Sequence, residues 1–115
     1  MLEDLLDEFM TIDGVFAALI IGKDGVIIES AAEDAMDVEE IGSMVSTCIG
    51  SSEVIGGTLA LGELHDMTLE LDKGPVYIAP LTPNDVIAVV ADTIGTVGHV
   101  RSELERNRRR LVAAL

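Results

Sequence analysis

The residues of this 115-residue chain that could support catalysis do not assemble into a catalytic motif. The phosphate-binding loop G-x-x-x-x-G-K-[ST] is absent, because the only Gly-Lys pair, Gly22-Lys23, is followed by Asp24 in a predicted hairpin turn. Residues 50–54 approach the G-x-S-x-G nucleophile elbow but lack its last glycine and lie within a predicted helix. No pair of carboxylates has a spacing that requires general acid–base chemistry. The sequence therefore predicts no catalytic residue, and we expect a binding protein rather than an enzyme.

The potential metal ligands are equally scattered. His65 and His99 lie in different predicted elements, without a second histidine or a Cys-x-x-Cys pair nearby. The acidic run of residues 33–40 lacks the glycine and the spacing of a calcium loop, so it is expected to be a solvated loop followed by a helix cap, with Asp37 as the N-cap and Glu40 three residues on. Cys48 has no neighbouring base and is expected to be a packed thiol. We expect no metal and no cofactor.

The charge of the chain excludes several classes of partner. Seven basic residues stand against 21 acidic ones, which gives a net charge of −14. Such a field repels phosphate backbones and anionic lipid heads, so nucleic acid and membrane surfaces are not expected partners. The first residues have no basic region and no long apolar run, so we do not expect them to form a signal peptide, and the apolar stretch from Val15 to Ile21 is too short to span a bilayer. We expect a cytoplasmic protein that does not insert into membranes.

The basic residues are concentrated at the end of the chain. Residues 101–115 hold five arginines, whereas residues 1–100 hold only two lysines and 19 acids. The arginines could form a solvated helix tail that complements the negative end of the helix dipole. They could instead contact acidic surface, either on this chain or on a partner.

Hydrophobic periodicity predicts three helices and five strands in a single domain, residues 1–115. Helical spacing is seen near the start, from Val38 to Leu59, and from about Thr96. The predicted strands are residues 15–21, 26–30, 67–71, 75–81 and 86–91. The first and last of these strands are apolar throughout and should be central, whereas the second and third carry polar residues and should lie outside. The fold class is therefore α+β, in the order α-β-β-α-β-β-β-α, with a mostly antiparallel sheet ordered 2-1-5-4-3 and helices on both faces.

The predicted helix from Val38 to Leu59 has two distinct sides. An apolar stripe, expected to cover the core, consists of Ile41, Met44, Val45, Cys48, Ile55 and Leu59. The opposite side is composed mainly of small residues, namely Ser43, Ser46, Thr47, Gly50, Val54 and Gly57. A solvated helix face usually carries lysine, arginine and glutamate, so this side indicates a surface on which another protein packs.

The order of elements resembles the Roadblock/dynein light chain family. The resemblance is carried by Ile12-Asp13-Gly14-Val15, by Asp24-Gly25-Val26-Ile27, by the small-residue helix and by the last apolar strand, and it covers about residues 1–110. The longin and profilin-like folds share much of this layout. The acidity and the arginine-rich tail are not family motifs.

The resemblance implies a dimer in which sheets join edge to edge and the middle helices lie side by side. It would place Ser43, Ser46, Thr47, Gly50 and Gly57 in the helix seam, and Met67, Thr68, Leu69 and Glu70 at the joined edge. It also implies a non-enzymatic regulator or scaffold that binds a Ras-like small GTPase and modulates its nucleotide cycle or its localisation.

Two other functions remain open at the level of sequence. One is a structural adaptor without effect on nucleotide hydrolysis, and the other is a small-molecule sensor of the PAS or profilin-like kind. The sequence does not name the GTPase, decide between homodimer and heterodimer, or explain the acidity.

Overall fold

The computed structural model describes all 115 residues. The elements, in chain order, are α1 (Leu2–Met10), β1 (Val15–Gly22), β2 (Ile27–Ala32), α2 (Val38–Thr58), β3 (Met67–Leu71), β4 (Gly74–Pro80), β5 (Asp85–Ala91) and α3 (Ile94–Ala114). This order confirms the predicted α-β-β-α-β-β-β-α arrangement. None of the three helices has the length and apolar content needed to cross a lipid bilayer.

The five strands form one sheet in the order β2-β1-β5-β4-β3, and every neighbouring pair is antiparallel. The predicted order is therefore confirmed. β1 and β5 are central because almost all their side chains are apolar and need cover on both faces. The edges are β2 and β3, whose side chains are mostly half-buried or exposed.

The helices cover both faces of the sheet, as predicted. α1 and α3 pack on one face, where Phe9, Ile87 and Leu104 are fully buried members of one apolar cluster. α2 packs on the other face against β1 and β2, where Leu19 and Ile49 belong to a second cluster. We call these the α1/α3 face and the α2 face of the sheet.

The predicted apolar stripe of α2 is only partly correct. The fully buried residues of α2 are Gly42, Val45 and Ile49, of which only Val45 belongs to the predicted stripe. Three members of the stripe, Met44, Ile55 and Leu59, are exposed. Gly42 is buried because the β1–β2 turn packs directly on it, and a Cβ there would collide with the carbonyl oxygen of Gly25. Because Gly42 and Ile49 are buried, the buried side of α2 lies nearer to the small residues than the predicted apolar stripe does.

Both ends of α2 are fixed by local hydrogen bonds. Asp37 is the N-cap, and its carboxylate accepts a hydrogen bond of 3.1 Å from the Glu40 backbone N–H, as the sequence predicts. At the other end the N–H groups of Leu61 and Gly62 donate to the Gly56 carbonyl. Ala60, directly after the C-cap Leu59, has φ +55°, which is the left-handed conformation common after a helix, and Gly62 has φ +96°.

Candidate protein-interaction surface

The outward side of α2 is a surface of small and apolar residues. Four of the predicted seam residues lie fully on it, since Ser43, Thr47, Gly50 and Gly57 are all exposed. Val54 lies on the same side with 66% of its surface exposed, and Ile55, which is about 100° further round the helix, is 57% exposed. We call this the α2 outer surface; it is unusual for a solvated helix, because large apolar side chains stand beside small ones with few charges.

Ser46 lies at the margin of this surface. It is half-buried, and its hydroxyl donates a hydrogen bond to the Lys23 backbone carbonyl in the β1–β2 turn. Gly50 and Gly57 differ from it, because no atom other than those of the adjacent residues and the local helix backbone lies within 4 Å of the position that a Cβ would occupy on either residue. The two glycines therefore leave open space on the helix, into which a neighbouring backbone can approach closely.

The two edges of the sheet differ in how well they are protected. Along β2 the pairing with β1 shifts between Ile20 and Ile21, which leaves Ile28 without a directly opposite residue. Such bulges hinder the addition of another strand. β3 pairs with β4 in unbroken register over all five residues and has no strand on its other side. β3 is therefore the regular, unprotected edge.

The four predicted edge residues of β3 point alternately to the two faces. Met67 and Leu69 lie opposite Ile78 and Val76, on the α2 face, and all four are apolar. Thr68 and Glu70 point to the α1/α3 face. Because α2 covers β1 and β2, this end of the α2 face is left partly open, and Leu71 beside it is 61% exposed. The open sheet face and the α2 outer surface lie on the same side of the molecule.

A polar cluster ties β3 to the opposite layer. The Tyr77 hydroxyl donates to the Asp66 carboxylate at 3.0 Å, and Arg101 Nε donates to the same oxygen, Oδ2, at 3.0 Å. The Arg101 guanidinium also lies 5.4 Å from the centroid of the Tyr77 ring. Asp66 directly precedes β3 and Arg101 belongs to α3, so the cluster fixes the start of the edge strand against α3. Arg101 is thus engaged within its own chain.

The pKa of Tyr77 is perturbed in this cluster. Its side chain is only 2% exposed, and burial raises the pKa of Tyr77 above its ordinary value of 10.0, with a further contribution from the Asp66 carboxylate. Beside Asp66, the pKa of the Arg101 guanidinium is also raised, chiefly by their hydrogen bond.

The raised pKa predicts an alkaline loss of stability. The folded state favours the neutral phenol of Tyr77. Its contribution to the free energy of unfolding is therefore complete below pH 10.0, the ordinary pKa, and is lost as the pH rises through the higher pKa of the folded state. We expect the wild type to lose more stability than Tyr77→Phe over this interval in urea unfolding experiments. Tyrosinate absorbance reports Tyr77 alone, since the chain has one tyrosine and no tryptophan. Equal losses in both proteins would contradict this assignment.

The C-terminal arginines contact their own chain, which is one of the two alternatives left open by the sequence. Arg110 lies 3.8 Å from Glu8 of α1, and Arg108 donates to the Pro80 carbonyl of β4 at 2.8 Å. Arg106 pairs with Glu103 of the same helix at 2.8 Å. The contacts of Arg110 and Arg108 join residues far apart in the chain, so periodicity and composition could not reveal them, whereas Arg106 and Glu103 are neighbours on one helix, three positions apart.

The candidate nucleophile and metal-ligand residues of the sequence lie apart from one another in the structure. Ser52, within the predicted elbow-like segment, donates its hydroxyl to the Cys48 carbonyl at 2.9 Å inside α2. His65 and His99 are both exposed, and the structure shows no group of three or more histidine, cysteine or acidic side chains arranged to hold a metal ion. Cys48 is half-buried rather than fully packed.

The fold and this surface define a three-layer α+β domain, with helices on both faces of the sheet and with one helix and one sheet edge exposed. Residues 1–91 match the Roadblock/LC7 domain family. The chain therefore belongs to the Roadblock/LC7 family, which confirms the resemblance found in the sequence. The match ends before α3, which begins at Ile94.

Individual relatives agree with this assignment. The uncharacterized protein MJ1340 of Methanocaldococcus jannaschii is 24% identical over 113 residues, or 98% of each chain. The structure of MglB from Myxococcus xanthus superposes with a TM-score of 0.85 at 16% identity, over 98% of this chain and 93% of that one. A second structure, described as MglB with a tetrameric arrangement, has a TM-score of 0.82 at 14% identity, over 96% and 84% of the two chains. At these identities the two structures establish the shared fold.

Proposed function

We propose that this protein is a non-enzymatic homodimer that binds a Ras-like small GTPase and modulates its nucleotide cycle or its localisation. The observation that carries the proposal is the α2 outer surface, where small and apolar side chains are exposed together on a helix of a protein with a net charge of −14. Large exposed apolar patches on a small domain mark sites of association.

The helix seam is proposed to form where two α2 helices lie side by side. Gly50 and Gly57 provide the closest approach, because both have open space at the Cβ position. Ser43 and Thr47 continue the surface by one to two turns, and Ser46 lies at its margin. Val54 would be buried in the same contact, and its apolar side chain contributes a hydrophobic driving force.

The joined edge is proposed to consist of Met67, Thr68, Leu69 and Glu70. Pairing of β3 with β3 of a second copy would satisfy the free backbone groups of the unprotected edge. An isologous dimer of this kind uses the same residues on both copies and leaves no further edge of that type exposed. The open sheet face beside β3 would then be covered by the partner subunit. The protected edge at β2 supports the choice of β3.

Membership of the Roadblock/LC7 family supports the GTPase as the partner, since the resemblance implies regulation of Ras-like GTPases. In such a complex the GTPase supplies the catalytic groups and the dimer positions its switch regions. The structural adaptor alternative uses the same dimer, but it predicts binding that does not depend on the bound nucleotide. The predictions of a cytoplasmic location and of no nucleic-acid partner remain predictions.

Sedimentation equilibrium of the purified protein tests the homodimer. We expect a mass twice the 12.2 kDa of the chain, with reversible dissociation on dilution. A monomer at every concentration would contradict the homodimer and would favour pairing with a different Roadblock chain.

Salt is expected to strengthen the dimer. Each copy carries a charge of −14, so the two copies repel one another while the contact itself is apolar. Raising the ionic strength from about 0.02 M to about 0.3 M screens this repulsion. The dissociation constant measured by sedimentation should therefore fall as salt is added. A dissociation constant that rises with salt would instead indicate a seam held together by ion pairs.

A further inference from the structure

A cleft of about 420 Å³ lies where the C-terminal half of α2 meets the loop after it and the turn between β4 and β5. We propose that this cleft binds an arginine or lysine side chain presented by a protein partner. The inference rests on the proposed function for the identity of the partner. It adds to that function the kind of side chain that the partner would insert at one site on the surface of this protein.

Close backbone contacts form the walls of the cleft. The loop wall lies directly against α2, because a Cβ on Gly56 would collide with the carbonyl oxygen of Gly62. The Lys23 backbone is held on the other side, since its N–H donates to the Asn84 carbonyl at 2.9 Å and its carbonyl accepts from Ser46. The cleft is thus formed by four chain segments, namely α2, the loop after it and the β1–β2 and β4–β5 turns, which hydrogen bonds and close packing hold in place.

The charged groups in the cleft leave one carboxylate uncompensated. Lys23 Nζ lies 2.8 Å from Glu53 Oε1, so these two charges neutralise one another. Glu63 also lines the cleft, is exposed and makes no ion pair. An entering cation would contact two carboxylates and only one ammonium, within a protein whose overall field is strongly negative.

The apolar part of the lining suits a long basic side chain. Ile49, Leu64 and Leu81 provide aliphatic surface beside the two glutamates. Arginine and lysine bury their methylene stems on such surface while the charged head remains at a polar rim. Arginine also matches a carboxylate through two parallel N–H groups. A carboxylate or phosphate group would be repelled by the unpaired Glu63.

The cleft is also adjacent to exposed apolar surface. Leu59 and Leu61, at the end of α2 and in the loop that walls the cleft, are 61% and 76% exposed. A partner that inserts a basic side chain would cover these two leucines. The cleft would then serve as the anchor of a contact that extends along α2 from the proposed helix seam.

The test is a titration of the ¹⁵N-labelled full chain with N-acetyl-arginine methylamide, in which the backbone amide chemical shifts are measured. We expect saturable shifts concentrated in residues 49–64 and 80–83, and none there with N-acetyl-glutamate methylamide. Glu63→Gln should weaken the binding by about threefold, the effect of one partly exposed carboxylate. Glu33→Gln is the matched control, because Glu33 is also exposed, makes no ion pair and carries the same charge.

The proposal is overturned if the shifts spread over the acidic residues 29–40, or if Glu63→Gln and Glu33→Gln bind the arginine compound equally well. Either result would mean that the protein attracts cations by its net charge alone. The measurement needs neither the GTPase nor dissociation of the dimer. Its failure would therefore leave the proposed function intact, and failure to capture a GTPase would leave the cleft assignment intact.

Discussion

Gly50→Leu is expected to convert the protein into a monomer whose folding is more stable than that of the wild-type subunit. A leucine at this position meets no atom of its own chain within 4 Å of the Cβ, so the subunit can accommodate it. Replacing a helical glycine should raise the free energy of unfolding of the subunit by about 0.5–1 kcal/mol. In a close helix seam the same side chain overpacks the contact from both copies. We expect the association constant to fall by about 100-fold, measured by sedimentation equilibrium.

Gly98→Leu provides the matched control for this prediction. Gly98 is also exposed, lies in α3 and has no atom within 4 Å of its Cβ position. It should give a similar gain in subunit stability, measured by denaturant unfolding, and leave dimerisation unchanged. A Gly50→Leu protein that dimerises as well as the wild type would remove Gly50 from the seam.

Leu69→Lys is expected to separate the joined sheets. Leu69 lies at the centre of β3 and is half-buried on the α2 face beside Val76. A lysine there remains solvated in the monomer, whereas dimerisation would bring two like charges into an apolar contact at the sheet edge. The association constant should fall by roughly 100-fold or more, the scale expected when an unpaired charge is buried. Size-exclusion chromatography with light scattering would report the change in mass directly.

Ile28→Lys places the same charge on the other edge of the sheet. Ile28 is 42% exposed on β2, where the register shift already hinders the addition of a strand. This variant should remain dimeric with an unchanged dissociation constant. If Ile28→Lys dissociates the protein and Leu69→Lys does not, β2 is the joined edge and the assignment of β3 is wrong.

The sheet could be predicted from the sequence because burial determines which residue types each strand contains. β1 and β5 are apolar on both faces and are central, whereas Glu29 and Glu70 mark the strands that lie at the edges. Strand order follows from these differences without knowledge of any contact. Asp37 was predictable as the N-cap for a similarly local reason, since it bonds to a residue only three positions away.

The buried side of α2 could not be predicted in the same way. Hydrophobic periodicity identifies a core-facing side only when the opposite side is polar. Here Val54 and Ile55 are exposed, while Gly42 is buried under the β1–β2 turn. The proposed association surface on the outer side of the helix would account for this pattern, because it would require apolar residues on both sides.

Contacts between residues that are far apart in the chain also could not be predicted from the sequence. The cluster of Asp66, Tyr77 and Arg101 joins a loop, a strand and a helix, and 35 positions separate the aspartate from the arginine. The cleft beside Glu63 likewise depends on how the loop after α2 folds back onto Gly56. Neither arrangement has a periodic signature, because each depends on the packing of the complete fold.

The most direct test of the proposed function is capture of small GTPases from native lysate by the wild-type protein and by Leu69→Lys, each with a GTP analogue and with GDP. We predict that the wild-type dimer retains a Ras-like GTPase in the GTP-analogue state, and that the monomeric variant loses it. Retention in both nucleotide states would identify an adaptor instead of a nucleotide-dependent regulator. Capture of no GTPase by the wild-type dimer in either state would contradict the proposal that the dimer binds a Ras-like small GTPase.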